Sequence, residues 1–216
     1  MTKDTFIKST LILIIGGAIT KALGMIIKIV MTRIVGIDGI SLYMLIFPTF
    51  SLFMTISQLG FPIAISKLVA EDTHNNKKIV FSTIPFSLLF NLILMLIIIF
   101  MAPYLANNLL KEPRALYPIL AIAIVLPFDS LSSILRGYFF GKENMFPHVL
   151  SNNFEQVVRI VLNIIFLPLL SNYEPRVSVT FLILSNVISE TTSIIILYFF
   201  LPRKIKITKE MLKPEK

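Results

Sequence analysis

The stretch VLSNNFEQVVRIVLNIIFLPLL, Val149–Leu170, decides how this chain folds. It has the roughly 20 residues that a helix needs to cross a ~30 Å hydrocarbon layer. Its centre nevertheless carries Glu155 and Arg159. An isolated charge in hydrocarbon costs roughly 2.5–3.5 kcal/mol even on the mildest insertion scale, so such residues require partners, water or a ligand. At 100° per residue, Asn152, Glu155, Gln156, Arg159 and Asn163 fall within about 100° of one another, a polar stripe on an apolar helix. Two readings fit that stripe. One is a self-neutralised Glu155–Arg159 pair at i, i+4, with amides that glue neighbouring helices. The other is the lining of a polar cavity.

Five further apolar runs of spanning length accompany it: Ser9–Val30, Ile40–Ser66, Ile79–Ala102, Ala115–Leu135 and Val177–Leu201. Together they predict an all-α fold, a polytopic membrane bundle of six transmembrane helices over residues 1–202. A basic cytoplasmic tail, residues 203–216, follows. The linkers between runs are short and polar, and no Gly/Ser-rich segment divides the chain. Composition agrees: 56% of residues are hydrophobic and 15% charged, against about 25% charged in a soluble domain. The absence of cysteine excludes disulfides, thiolate metal sites and a Cys nucleophile.

A net charge of +8 raises the question of nucleic acid, and the placement of the charges answers it. Lys3, Lys8, Lys67, Lys77, Lys78, Arg136 and Lys142 fall on one side of the predicted bundle. Arg203, Lys204, Lys206, Lys209, Lys213 and Lys216 in the tail join them. The opposite side holds Arg33, Lys111, Arg114 and Arg176. This bias puts both termini in the cytoplasm and reads as topology, with no nucleic-acid partner. The tail is expected to anchor on anionic membrane lipids. Lys3 and Lys8 before an apolar run resemble a signal peptide. The hydrophobic period continues past Lys21 with no cleavage-like site, so the first run is expected to be a retained helix.

Other predicted spans also carry interior charge. Asn186, Ser189, Glu190 and Ser193 share one face of the last, and Glu190 has no opposite charge nearby in sequence. It is therefore protonated, paired across helices or hydrated. Asp129, Ser133 and Arg136 share a face after Pro127, where a kink is expected. Arg136 sits near the predicted helix end and can snorkel. Lys21 and Lys28 project to one face about 10 Å apart along the axis, with Lys21 the deeper. Gly16, Gly17 and Gly24 permit close helix contact or a bend. Pro48 and Pro62 bracket Thr55, Ser57, Gln58 and Gly60, consistent with a broken, cavity-lining helix or with Pro-kinked packing. Asp129, Glu155 and Glu190 are the candidate cavity or coupling carboxylates. A mixed-sign interior suits an anionic ligand coupled to a cation or proton.

The segment from Ile19 to Glu71, ITKALGMIIKIVMTRIVGIDGISLYMLIFPTFSLFMTISQLGFPIAISKLVAE, resembles the first two helices of bacterial polysaccharide and lipid-oligosaccharide flippases. RGYFFGKENMFPHVLSNNFEQVVRI, Arg136–Ile160, resembles the junction of their fourth and fifth helices. The likeness is to the stage V sporulation protein B-like branch of the multidrug/oligosaccharidyl-lipid/polysaccharide exporter superfamily. It implies one lobe of a two-lobed transporter that moves a polyprenyl-pyrophosphate-linked sugar across the membrane by alternating access. In that group's lipid II flippases a basic cavity takes the pyrophosphate. Thr20, Lys21, Leu23 and Gly24 match their Ser-Arg-x-Leu-Gly pattern, which places Lys21 at a cavity-basic position. The second basic residue of the pattern falls at Ile27, one before Lys28. Glu155, Gln156 and Arg159 match the group's Glu-Gln-x-x-Arg run.

Lys21, Lys28, Arg159, Asn152 and Gln156 are the candidate substrate-binding residues, Lys21 from the resemblance and the others from their polar positions within the predicted spans. Family members have twelve to fourteen helices, so the chain matches an N-terminal half, to be completed by a second lobe or by a second copy in a homodimer. Cation-coupled export of small amphiphiles and a non-transporting scaffold are the other readings. An enzyme is not expected. His74 and His148 lie in predicted loops without metal-ligand spacing, and neither a P-loop nor a dinucleotide fingerprint is present. No cofactor is implied.

Overall fold

The computed structural model describes residues 3–71, 76–170 and 172–201, and in these the chain forms helices and turns, with no strand. The elements are α1 (Lys3–Gln58), α2 (Phe61–Glu71), α3 (Asn76–Tyr104), α4 (Leu116–Gly141), α5 (Met145–Leu170) and α6 (Pro175–Phe200). A π-helical turn at Leu105–Leu109 and a 3₁₀ turn at Pro113–Ala115 join α3 to α4. In that connection Glu112 accepts from Arg114 Nε (2.8 Å) and Nη2 (2.9 Å). Hydrogen bonding to the guanidinium holds its carboxyl below the ordinary glutamate value. His74 and the tail of residues 203–216 lie outside the described residues.

Helical conformation runs through the linker expected between the runs Ser9–Val30 and Ile40–Ser66, broken by Gly36 alone (φ 74°, ψ 179°). Glycine reaches this left-handed region without a Cβ penalty. Before Gly36, α1 climbs alongside α5: Ser9 Oγ donates to the Glu143 carbonyl, Gly16 lies against Val149, and Thr20 bonds Asn153. Further up, Ile27 and Met31 share a buried cluster with Leu167 and Leu182. After Gly36 the order reverses against α4 and α6. Gly39 sits beside Pro175, Leu42 and Ile46 join Val179 and Ile183, and Ser57 reaches Asp129. The chain therefore turns back on itself at one residue.

The helix expected over Ile40–Ser66 is interrupted at Leu59 (φ 46°) and Gly60 (φ 71°). Pro62, in the first turn of α2, has no N–H to extend a helix from the preceding turn. Beyond the break, α2 presses on α4. A Cβ on Gly137 would come within 2.8 Å of the Pro62 carbonyl oxygen, and Gly141 lies equally close to Ser66 and Val69. Backbone contact of this kind is how helices associate in hydrocarbon, where no hydrophobic force draws them together.

The fourth predicted helix ends at Leu135, but α4 continues to Gly141. This keeps Arg136 inside the bundle instead of at a snorkelling end. Its neighbour α5 starts at Met145, so His148 stands in a helix and not in a loop. The core lies around α4. Ile119, Ile122, Val125 and Leu126 are fully buried with Ile98, Ile46 and Ile183, and a second cluster gathers Ile65, Val80, Ile134 and Leu197. Among the described residues, five helical runs are long and apolar enough to cross a membrane, the first being Ile7–Glu71.

Candidate functional site

The interior charges meet where α4, α5 and α6 face one another. Arg136 Nη2 donates to Glu155 Oε2 (2.6 Å), Glu190 Oε2 (3.2 Å) and Ser193 Oγ (3.1 Å). Arg159 Nη2 donates to the other oxygen of Glu155, also at 2.6 Å. Glu155 thus holds two guanidinium groups, one per carboxylate oxygen. Its side chain is 7% exposed and that of Glu190 5%. Glu190 is paired across helices, and the i, i+4 pair of α5 exists. Sequence spacing did not join Arg136 to them, since it comes from another helix. One signal was available: Arg136 shares a face with Asp129 and Ser133, seven and three residues back.

Asp129 belongs to a second polar node at the α1–α2 break. Gln58 Nε2 (3.0 Å) and Ser57 Oγ (3.3 Å) donate to Asp129 Oδ2. Asn91 Nδ2 donates to the Ser57 carbonyl, and Ser87 Oγ and Ser130 Oγ hydrogen-bond alongside. The break thus frees the Ser57 carbonyl, which Asn91 of α3 satisfies. Asn91 is fully buried, and its Oδ1 has no partner among the described residues.

A cavity of about 380 Å³ opens between α1, α5 and α6. Lys28, Gln156, Arg159, Asn163 and Asn186 give it a polar wall; Ile27, Met31, Tyr43, Phe47 and Phe50 give it an apolar one. Lys28 has no ion-pair partner among the described residues, whereas Arg159 is already bound to Glu155. Asn152 stands one turn before Gln156 on the same face of α5, outside the lining. Lys21 is exposed and is not among the lining residues; it lies two turns before Lys28 on the same face of α1. Its neighbour Thr20 is the residue that reaches α5, with Oγ1 2.7 Å from Asn153 Oδ1. No cluster of His, Asp or Glu able to hold a metal occurs among the described residues.

These features define a class: a membrane bundle with a charged interior and an amphiphilic cavity. The chain belongs to the polysaccharide biosynthesis protein family, which matches it over residues 6–214. It is similar to stage V sporulation protein B of Bacillus subtilis (strain 168), with 42% identity over 224 residues that cover 99% of this chain and 42% of that protein. The lipid II flippase MurJ of the same organism is 29% identical over 168 residues, 72% of this chain and 31% of the flippase. Among solved structures, an outward-facing multidrug resistance MATE family transporter of the MOP superfamily superposes with a TM-score of 0.70. It covers 98% of this chain and 48% of its own at 18% identity, a likeness of fold alone. The chain spans less than half the length of each of these proteins.

Proposed function

We propose that this chain is one lobe of a flippase for a polyprenyl-pyrophosphate-linked sugar, a peptidoglycan precursor among the candidates, working by alternating access. The observation that carries the reading is Lys28 and Arg159 in one cavity that also has an apolar wall. A lipid-linked pyrophosphate has the same two parts, an anionic head and an apolar chain. Lys28 supplies the uncompensated charge; Arg159, held by Glu155, supplies directed N–H groups. Lys21 adds to the positive field from outside the cavity wall, and Asn152 and Gln156 extend the polar surface toward the sugar. The name of the lipid II flippase supports the substrate class.

In the same proposal the chain crosses the membrane six times with both termini cytoplasmic. The Ile7–Glu71 run, about 97 Å at 1.5 Å per residue, is long enough for two crossings of a ~30 Å layer. The reversal at Gly36 separates them, and the basic bias sets the orientation. A second lobe or a second copy closes the cavity from the other side.

The test is translocation of a polyprenyl-pyrophosphate-linked sugar by the native complex reconstituted from host membranes. Lys28→Ala is expected to lower translocation while the protein still inserts; full translocation by that variant overturns the reading. The mass of the same complex tests for the second lobe. A lone 24.5 kDa chain would count against it.

A further inference from the structure

Away from the cavity, a groove of about 440 Å³ lies where the start of α4, the end of α5 and the first turns of α6 meet. The groove and the cavity share no lining residue. Its floor is apolar: Leu170 from α5, and Val177, Phe181 and Leu184 from α6. The three α6 residues stand at i, i+4 and i+7, so they form one stripe along the helix. Arg176 closes one end together with Tyr117, its Cζ 5.4 Å from the centre of that ring. Arg176 Nε also meets Glu174 Oε2 at 2.6 Å. Both side chains remain open, that of Arg176 41% exposed and that of Glu174 62%. An exposed pair of this kind contributes little and yields readily to a ligand. Thr180 Oγ1 is spent on the Arg176 carbonyl (2.6 Å), which leaves the two charges as the polar end of the groove.

The dimensions fit one lipid leaflet. α6 is among the helices long and apolar enough to cross a membrane. Leu184 lies eight residues beyond Arg176, about 12 Å along the helix, and half of a ~30 Å hydrocarbon layer has nearly that depth. The charged end then sits where Tyr and Arg side chains meet the membrane surface. The charges select the head group. Arg176 suits a phosphate, whose oxygens accept from its N–H groups. Glu174 beside it opposes a head that is only anionic and suits one that also carries an N–H cation. The wider rim agrees, since Arg114 is within electrostatic reach of Glu112, Asp38 and Glu174. With Arg176, that makes two guanidinium groups against three carboxylates. We propose that this groove binds one molecule of phosphatidylethanolamine. Its phosphate rests on Arg176, its ammonium on Glu174, and an acyl chain runs along Val177, Phe181 and Leu184. Phosphatidylcholine has the same charges but no N–H to give Glu174, and phosphatidylglycerol has no cation. The site needs only that the bundle lies in a membrane, so it stands independently of the transport reading.

The test uses the native complex purified from host membranes and reconstituted in phosphatidylglycerol vesicles. Trace phosphatidylethanolamine and phosphatidylcholine probes carry the same photoreactive diazirine on an acyl chain, at equal amounts. Peptide mapping of the unaltered protein is expected to place the phosphatidylethanolamine label on residues 177–184 several-fold above the phosphatidylcholine label. Equal labelling by the two probes is ordinary lipid contact and overturns the proposal. Glu174→Gln should bring the phosphatidylethanolamine label down to the phosphatidylcholine level, and Arg176→Gln should lower it several-fold. Val157→Leu, on the exposed side of α5, should leave it unchanged. A preference that survives both the Glu174 and the Arg176 substitutions overturns the assignment of the head group. Because labelling does not depend on translocation, failure of the flippase reading would leave this result standing, and the reverse holds equally.

Discussion

α1 and α4 have nearly the same hydropathy and opposite surroundings. The most apolar window of the run Ile7–Glu71 averages 2.1 and is 11% buried; that of Pro113–Gly141 averages 1.9 and is 72% buried. Hydropathy measures whether a helix tolerates hydrocarbon, and lipid and protein interior satisfy it equally well. What distinguishes the two is small and polar residues. α4 carries Asp129, Ser130, Ser132, Ser133, Gly137 and Gly141 on its buried surface, with Arg136 half-buried beside them. α1 turns Ile14, Ile15, Met25 and Ile29 outward. In a membrane protein the centre is marked by residues that lipid would reject.

The largest effect should come from the middle of α4. Arg136→Leu strands Glu190 in the interior and leaves Glu155 with Arg159 alone, and loss of one partner of a buried pair costs about 3–5 kcal/mol. Loss of folded protein in detergent melting is expected. A melt like that of the parent would show that water, and not Arg136, satisfies the carboxylates.

Next comes the α2–α4 contact. Gly141→Val places side-chain atoms where Ser66 and Val69 already stand, and overpacking costs about 1–3 kcal/mol. Cysteine cross-linking between α2 and α4 in that background should drop. Unchanged cross-linking would mean that the break at Leu59–Gly60 lets α2 yield freely.

Asp129→Asn keeps shape and removes charge at the break. A melting shift equivalent to about 1–2 kcal/mol is expected, the cost of weakening charge-assisted bonds from Gln58 and Ser57. On α1, Met25→Leu at an outward position should alter stability by no more than about 0.5 kcal/mol. A larger loss would place a protein partner, not lipid, against that face. The smallest effect belongs to the α3–α4 connection. The Glu112 carboxyl should titrate below the ordinary glutamate range and return to it in Arg114→Ala, followed by NMR. Because its folded pKa is lowered, what its pairing contributes is present above the unfolded value and fades as pH falls through the folded one.

Much of this was legible in residue order. Apolar runs about 20 residues long located the helices, and the polar stripe on α5 identified Glu155, Gln156, Arg159 and Asn163 as a set. The partner of Glu190 was not legible, because pairing across helices depends on rotation and tilt that periodicity does not encode. Arg136 looked like the end of a span, since its cost in hydrocarbon vanishes only once Glu155 and Glu190 arrive from elsewhere in the chain. His148 looked like a loop residue because it falls one residue before the apolar run that begins at Val149. The interruption at Leu59–Gly60 was signalled by Gly60 and Pro62, but not which side chains would take up the freed carbonyls. The sequence favoured Lys21 over Lys28 as the deeper basic residue, yet Lys28 lines the cavity and Lys21 does not.

The one-residue reversal at Gly36 also bears on how such a chain is made. Two apolar segments joined without a loop leave no stretch of polar chain to rest outside the membrane while synthesis continues. In the six-crossing topology proposed above, Arg33 and Asp38 at the tip cross the bilayer together. On that proposal the first two crossings behave as a single unit of insertion. Lengthening the tip would uncouple them and expose to the quality-control proteases a half-inserted species that the compact hairpin never forms.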